Sequence, residues 1–414
     1  VQNSHFYRPE TFTVFFTLDS FWAMLRMVDR KRCRDSALLG LMLGLALAPK
    51  VAVLPLMAPL VLVYWYRVLD EVDGRWSDIT PELVQRILGN VAVAAAVAVA
   101  VFFVSAPYAF LDVGAFVADL MAQTRMAGNA GLWPFTVQYI DTPAFLYQIR
   151  QTSVWGLGLP LGAVAWLSIP FTAALVFANR RTRRADLLLL AWVVPSFLFL
   201  ESFEVRFLRY VFPMMPVMII LGARMLFWLW DNSRTVADRL ARSGHTFGRY
   251  VPVSIILVGA FVVAGTAFYS IAFQRVYAEY HPAVTASQWI NENVPRGSSI
   301  VSDNHWDEFI PNLYSYDVWQ YPVYETDTAA KMEELASRLC GSEYLVFYSS
   351  RPYASAARDP ARFPLSNAYY QRLFSGELGY RLVRDFTSYP ELAGVSFRDD
   401  ALGRAGLAQL TPEF

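Results

Sequence analysis

The sequence predicts a polytopic α-helical membrane protein with a C-terminal outward-facing α/β domain. Residues 10–273 form a series of apolar runs with charges confined between them, whereas residues 274–414 read as a soluble domain. Basic residues concentrate in alternate loops, as membrane topology requires. Strand-like and helix-like patterns alternate in the C-terminal part, which suggests a small α/β domain. The 414-residue chain is 55% hydrophobic and formally neutral, which argues against a nucleic-acid binder.

A spanning helix needs about 20 mostly apolar residues. The candidates are 11–28, 36–48, 51–66, 88–106, 154–178, 185–200, 211–230 and 252–273. A single helix over 36–66 would be roughly 46 Å long, too long for one crossing. Pro49, Lys50 and Pro55 interrupt it, so a tight hairpin of two short helices is expected there. Eight passes put 15 basic residues, among them Arg30, Lys31, Arg32, Arg34 and Arg180, Arg181, Arg183, Arg184, on one side. Six, among them Lys50, Arg206 and Arg209, fall on the other. The basic side is then cytoplasmic, and residues 1–9, 107–153, 201–210 and the C-terminal domain are extracytoplasmic. The boundary between the transmembrane part, 1–273, and the soluble part, 274–414, falls after the last apolar run. Cys33 and Cys340 lie in different regions, on opposite sides of the membrane, with neither disulfide nor metal spacing.

In the soluble part, Pro282 opens a helix to Asn293. Residues 298–302 read as a strand, Thr328 as the cap of a helix to Leu339, and 343–349 as a buried strand. Ser366 reads as the cap of a helix to Phe374, and 380–386 as a third strand. Ligands of such sheets collect at the carboxyl ends of strands. Asp303, His305, Asp307 and Arg351 are therefore the candidate site of this domain. The first three are metal-competent types, but alternate spacing without a third distant ligand is a weak signal, and a satisfied polar loop is the stronger reading. No metal site is assigned, and a divalent metal is the one cofactor left open.

The segment from Glu201 to Tyr210 carries four charges at the edge of two apolar runs, where charge is costly unless it is used. Guanidinium groups grip phosphate through paired donors, so Arg206 and Arg209, with Tyr210 and Lys50, are candidates for holding a lipid phosphate. The bland readings are an interfacial ion-pair cluster with Glu201 and Glu204 for the arginines, and snorkelling for Lys50. No Glu–Arg pair there is three or four apart, so a helical ion pair is not expected. On the outward face, His5, Glu10, Gln138 and Tyr139 are further candidates, the last two in a long loop whose aromatic residues also suit an interfacial belt.

Several of these segments resemble one family. Ser4-His5-Phe6-Tyr7-Arg8-Pro9-Glu10 is similar to an outer loop of the GT-C membrane glycosyltransferases, in the family 39, protein-mannosyltransferase-like and aminoarabinose-transferase-like branch. Gly40-Leu41 through Gly44-Leu45-Ala46 to Pro49-Lys50 resembles the hairpin of that branch. Trp133-Pro134-Phe135-Thr136-Val137-Gln138-Tyr139 resembles an outer-loop motif of its bacterial members. Arg209-Tyr210-Val211-Phe212-Pro213 with Pro216 resembles its Arg-Tyr…Pro…Pro helix, and Trp289 through Gly297 with Asp303 to Glu308 resembles its outer domain. The resemblance implies an inverting transfer of a sugar from a polyprenyl-phosphate donor to a protein, lipid or glycan acceptor at the outer face. An aspartate in the first outer loop would act as base, upstream of Val1. The expectation is thus of a chain lacking its first helices and its base, ending early after Asp400, and inactive by itself. Glu10 stands where relatives often have Asp. The rival classes are a lipid or solute transporter, which should show internal repeats that are not seen, and a non-catalytic membrane scaffold.

Overall fold

The computed structural model of the protein describes residues 8–30, 32–72, 75–243, 246–303 and 311–398. The chain divides into two compact units, 1–128 with 143–267, and 129–142 with 268–414.

The first unit is helical. In chain order it contains α1 (Pro9–Arg30), α2 (Cys33–Leu47), a 3-10 turn (Val51–Leu56) running into α3 (Met57–Glu71), α4 (Pro81–Ser105) and α5 (Val113–Gly128). Then follow α6 (Leu159–Ala178), α7 (Arg183–Glu201), α8 (Met215–Arg242) and α9 (Val251–Ala278), whose last turns belong to the second unit. The hairpin expected over 36–66 is present: α2 ends at Leu47, and Lys50 stands in extended conformation before the 3-10 turn that contains Pro55.

Among the described residues, five stretches are helical, long and apolar enough to cross a membrane: Val51–Glu71, Pro81–Ser105, Leu159–Ala178, Leu208–Arg242 and Gly248–Asn293. That is the make-up of a multi-pass membrane protein. The eight spans expected from sequence include three more segments that are helical but shorter or more polar. α2 has 15 residues. α1 buries the polar stripe Glu10, Thr13, Thr17 and Ser20 along one face. Thr13 and Ser20 turn their hydroxyls onto their own helix, to the carbonyls of Pro9 and Phe16. α7 buries Asp186 at its first turn and Glu201 at its last. These helices sit in the core with their neighbours, which removes the need for apolarity all round. Met24, Met27, Leu39, Leu43, Leu188 and Trp192 are all buried in one cluster with Met218 and Leu221 of α8.

Small residues set the closest approach. A Cβ on Gly40 would overlap the Ala94 carbonyl oxygen, and one on Gly44 would lie 2.7 Å from that of Ala98, so α2 packs backbone to backbone on α4. Within α8, Arg224 grips Asp186 with two hydrogen bonds of 2.5 and 2.7 Å and also reaches the Thr182 hydroxyl, pinning α7 to α8.

The second unit holds α10 (Pro282–Asn293) and a three-stranded parallel sheet, with β1 (Ser299–Asp303) between β2 (Asp317–Tyr321) and β3 (Tyr344–Val346). Ile300 lies beside Val318 on one side, and Val301 beside Leu345 on the other. The unit also has α11 (Ala329–Gly341), α12 (Arg351–Arg358), α13 (Pro364–Phe374) and a small hairpin, β4 (Glu391–Leu392) and β5 (Val395–Ser396). Thr328 caps α11 through the Lys331 amide, as expected.

Two expectations are corrected. Residues 380–386 form no strand; the third strand is β2, which reads weakly because its burial does not alternate cleanly. Nor does Ser366 cap α13. It sits inside the first turn, and the cap is Asp327, whose carboxylate accepts from the Leu365 and Ser366 amides at 2.8 and 2.7 Å. Lys331 completes that buried cluster, bonding Asp327 and the Val323 and Glu325 carbonyls.

The segment 129–142 packs within the second unit, not with the helices that flank it in sequence. α12 and its flank hold it: Ser355 donates to the Pro134 carbonyl at 2.8 Å, Arg358 to that of Ile140, and Arg362 to that of Gly131 at 2.7 Å. The buried Thr136 hydroxyl closes the loop on itself through the Ala130 carbonyl.

Candidate functional site

In the first unit, three helical segments start close together: α1 with Glu10, the 3-10 turn after Lys50, and the two 3-10 turns that precede α8 and carry Arg209 and Tyr210. Glu10 is 3% exposed. Its Oε1 accepts from Lys50 Nζ at 3.0 Å and faces Arg209 Nε at 3.6 Å. Its Oε2 is buried and has no hydrogen-bond partner among the described residues. Both cations also lie on aromatic faces. Lys50 Nζ is 4.3 Å from the centre of the Tyr210 ring, and the Arg209 guanidinium is 4.2 Å from that of Phe207. Burial pushes the Lys50 ammonium below the usual lysine range, and Glu10 opposes that shift. Arg209 stays about one-third exposed, so its guanidinium is open to a ligand.

An apolar cleft of about 280 Å³ is lined by Phe12, Phe16, Leu45, Ala48, Pro49 and Ser105, and none of Glu10, Lys50 or Arg209 lines it. Phe12 is two residues from Glu10 on α1, a spacing that turns it to the opposite, exposed face. A part-exposed guanidinium beside an ammonium, in a unit rich in apolar helices, is suited to an amphiphile with an anionic head.

Arg206 belongs to a different ion pair. Its Nε donates to Glu201 Oε2 at 3.1 Å, with both side chains buried. The same oxygen accepts from the Phe145 amide at 2.6 Å. A helical ion pair is unavailable at this five-residue spacing, but the chain leaves the helix after Glu201 and bends back, which brings Arg206 home. Val205 is fixed in turn by the Ala127 carbonyl. Glu201 therefore anchors the turn that presents Arg209, and Arg206 is a brace of that turn.

The remaining candidates scatter. His5, His305 and Asp307 lie outside the described residues. Gln138 and Tyr139 belong to the second unit, whereas Glu10 belongs to the first. Gln138 bonds the Phe135 carbonyl, and Tyr139 is buried. Arg351 opens α12 on the surface, its amide on the Ser349 hydroxyl. Asp303 ends the central strand and is buried, accepting a 3.0 Å bond from the Tyr370 hydroxyl. Burial drives its carboxyl up to about 7, against the pull of that bond. Among the described residues, no group of three metal-competent side chains gathers.

Sequence reasoning did not pair Glu10 with Lys50 and Arg209, which are 40 and 199 positions away. A signal was present: an acidic residue opening one apolar helix, and two basic residues at interruptions of others. The chain matches no protein-family model, no curated protein and no solved structure.

Proposed function

We propose that the protein is a glycosyltransferase of the outer membrane face that uses a polyprenyl-phosphate-linked sugar, with Lys50 and Arg209 holding the carrier phosphate. The observation that carries this reading is the convergence of both cations on one buried carboxylate, with the Arg209 guanidinium left part-exposed. The two cations supply the charge that a phosphate needs, and Arg209 offers paired donors. In the reaction the bond between the anomeric carbon and the carrier oxygen breaks, its electron pair leaving with the phosphate. The acceptor hydroxyl forms the new bond and gives up its proton to a carboxylate base. Charge grows on the phosphate as the sugar departs, so a fixed guanidinium there stabilises the transition state more than the ground state. In this reading the second unit is extracytoplasmic, and the resemblances of sequence order support the assignment to the family 39-like branch.

The test is turnover of a polyprenyl-phosphate sugar by the full-length protein in membrane vesicles, normalised to folded, inserted protein. Arg209→Ala should lower it about 10²-fold, the scale of losing one charge-stabilising donor. Arg209→Lys should recover only part, because an ammonium lacks the paired donors. Wild-type turnover in Arg209→Ala would reduce Arg209 to an interfacial anchor.

A further inference from the structure

We infer that Glu10 sets the charge selectivity of this site, making it a receptor for a singly charged phosphodiester in preference to a doubly charged phosphomonoester. The inference rests on the reading of Lys50 and Arg209 as the phosphate holders. Glu10, Lys50 and Arg209 together carry a formal charge of +1, and Glu10 is too buried for water to screen it well. The Glu201–Arg206 pair has no net formal charge and adds nothing to that sum. Tyr210 and Phe207 present ring faces to the cations and contribute no formal charge.

A phosphodiester brings one negative charge and leaves the cluster neutral. A phosphomonoester at neutral pH brings about −1.5 to −2 and leaves an excess negative charge beside a buried carboxylate. The transfer reaction converts the first kind of ligand into the second, since the carrier phosphate keeps the electron pair of the broken bond. The same carboxylate therefore favours the loaded donor and helps the spent carrier leave. The orphaned Oε2 fits this role: a buried acceptor without a partner is what a hydroxyl on a phosphate-linked sugar would satisfy.

The experiment compares binding of farnesyl phosphate with that of its methyl diester to the purified protein in nanodiscs. These probes differ by one ionisable oxygen and share the lipid. At pH 7.5 the diester should bind about tenfold more tightly, the scale of one uncompensated charge at a half-buried site. At pH 5.5, below the second ionisation of the monoester at about 6, that preference should shrink towards one. Glu10→Gln should strengthen monoester binding about tenfold at pH 7.5 and change diester binding less. A monoester that binds as tightly as the diester at pH 7.5, with a ratio indifferent to pH, overturns the inference. So does a ratio unaffected by Glu10→Gln. If Glu10→Gln does not fold, the pH series on the unaltered protein decides. Equal binding of both probes, lost together in Arg209→Ala, would sink the selectivity and leave the phosphate site standing. Failure of the unaltered protein to bind either probe would remove both readings.

Discussion

Asp303 sits where the central strand ends, with one hydrogen bond to Tyr370 and no described cation beside it. Its carboxyl titrates near 7 in the folded protein, against 3.8 for the free group, because burial penalises the charged form. Between about pH 4 and pH 7 the folded chain holds a proton that the unfolded chain has lost, so stability falls as pH rises through that window and levels off above it. The cost of ionising it in place is about 4 kcal/mol at most. Asp303→Asn keeps an oxygen for the Tyr370 hydroxyl and removes the charge. It should flatten the pH dependence and raise stability at pH 8 by about 2 kcal/mol or more. Unfolding midpoints of the whole protein at pH 5 and pH 8 check this, and an unchanged slope in the Asn variant would rule it out. Arg206 makes the opposite point at the same scale. It has the chemistry of a phosphate ligand, yet its Nε bonds Glu201, so side-chain type alone did not assign its role.

At the scale of elements, the contact of α2 with α4 depends on two missing methyl groups. Lipid gives helices no hydrophobic reason to associate, so close backbone packing has to do it. Gly40→Ala puts a Cβ into the Ala94 carbonyl and must move one helix. It should cost about 1–3 kcal/mol, the range of overpacking. Gly89→Ala, in α4 but with open space around the new Cβ, should be neutral or stabilising by up to about 1 kcal/mol. Thermal unfolding of the two variants in one detergent provides the comparison, and equal stability of both would refute the packing argument. Movement of α2 would also carry Lys50, three residues beyond its end, away from Glu10.

At the scale of the whole molecule, the basic loops set the expected topology. The eight-pass reading puts α1, α2 and α7 across the membrane in company with the five apolar stretches, and, unlike a single pass over 36–66, it keeps the basic loops on one side. Cys33 and Cys340 are both exposed and so are ready probes. In intact cells an impermeant maleimide should label Cys340 and spare Cys33. In a Cys33→Ser, Cys340→Ser background, Arg181→Cys should be protected and Ser202→Cys labelled, since α7 lies between them. Labelling of both new cysteines from one side would remove α7 from the spans, and protection of Cys340 would place the second unit in the cytoplasm.

Hydropathy and charge by themselves determined the helical membrane character, the hairpin broken at Pro49 and Lys50, and the α/β nature of the C-terminal part. Each of these rests on local periodicity or on a composition that a short window contains. The same windows marked Lys50, Arg209 and Tyr210, because charge at the end of an apolar run is conspicuous. Tertiary structure decided what those residues meet. It joined Glu10 to Lys50 and Arg209 across most of the first unit, closed Arg206 on Glu201, and gave the cap of α13 to Asp327 in place of Ser366. It also folded the Trp133 to Tyr139 motif into the second unit, against α12. These are contacts between positions far apart in sequence, or across a bend that helical spacing does not describe. Their energies depend on distance and burial, which a one-dimensional pattern does not contain.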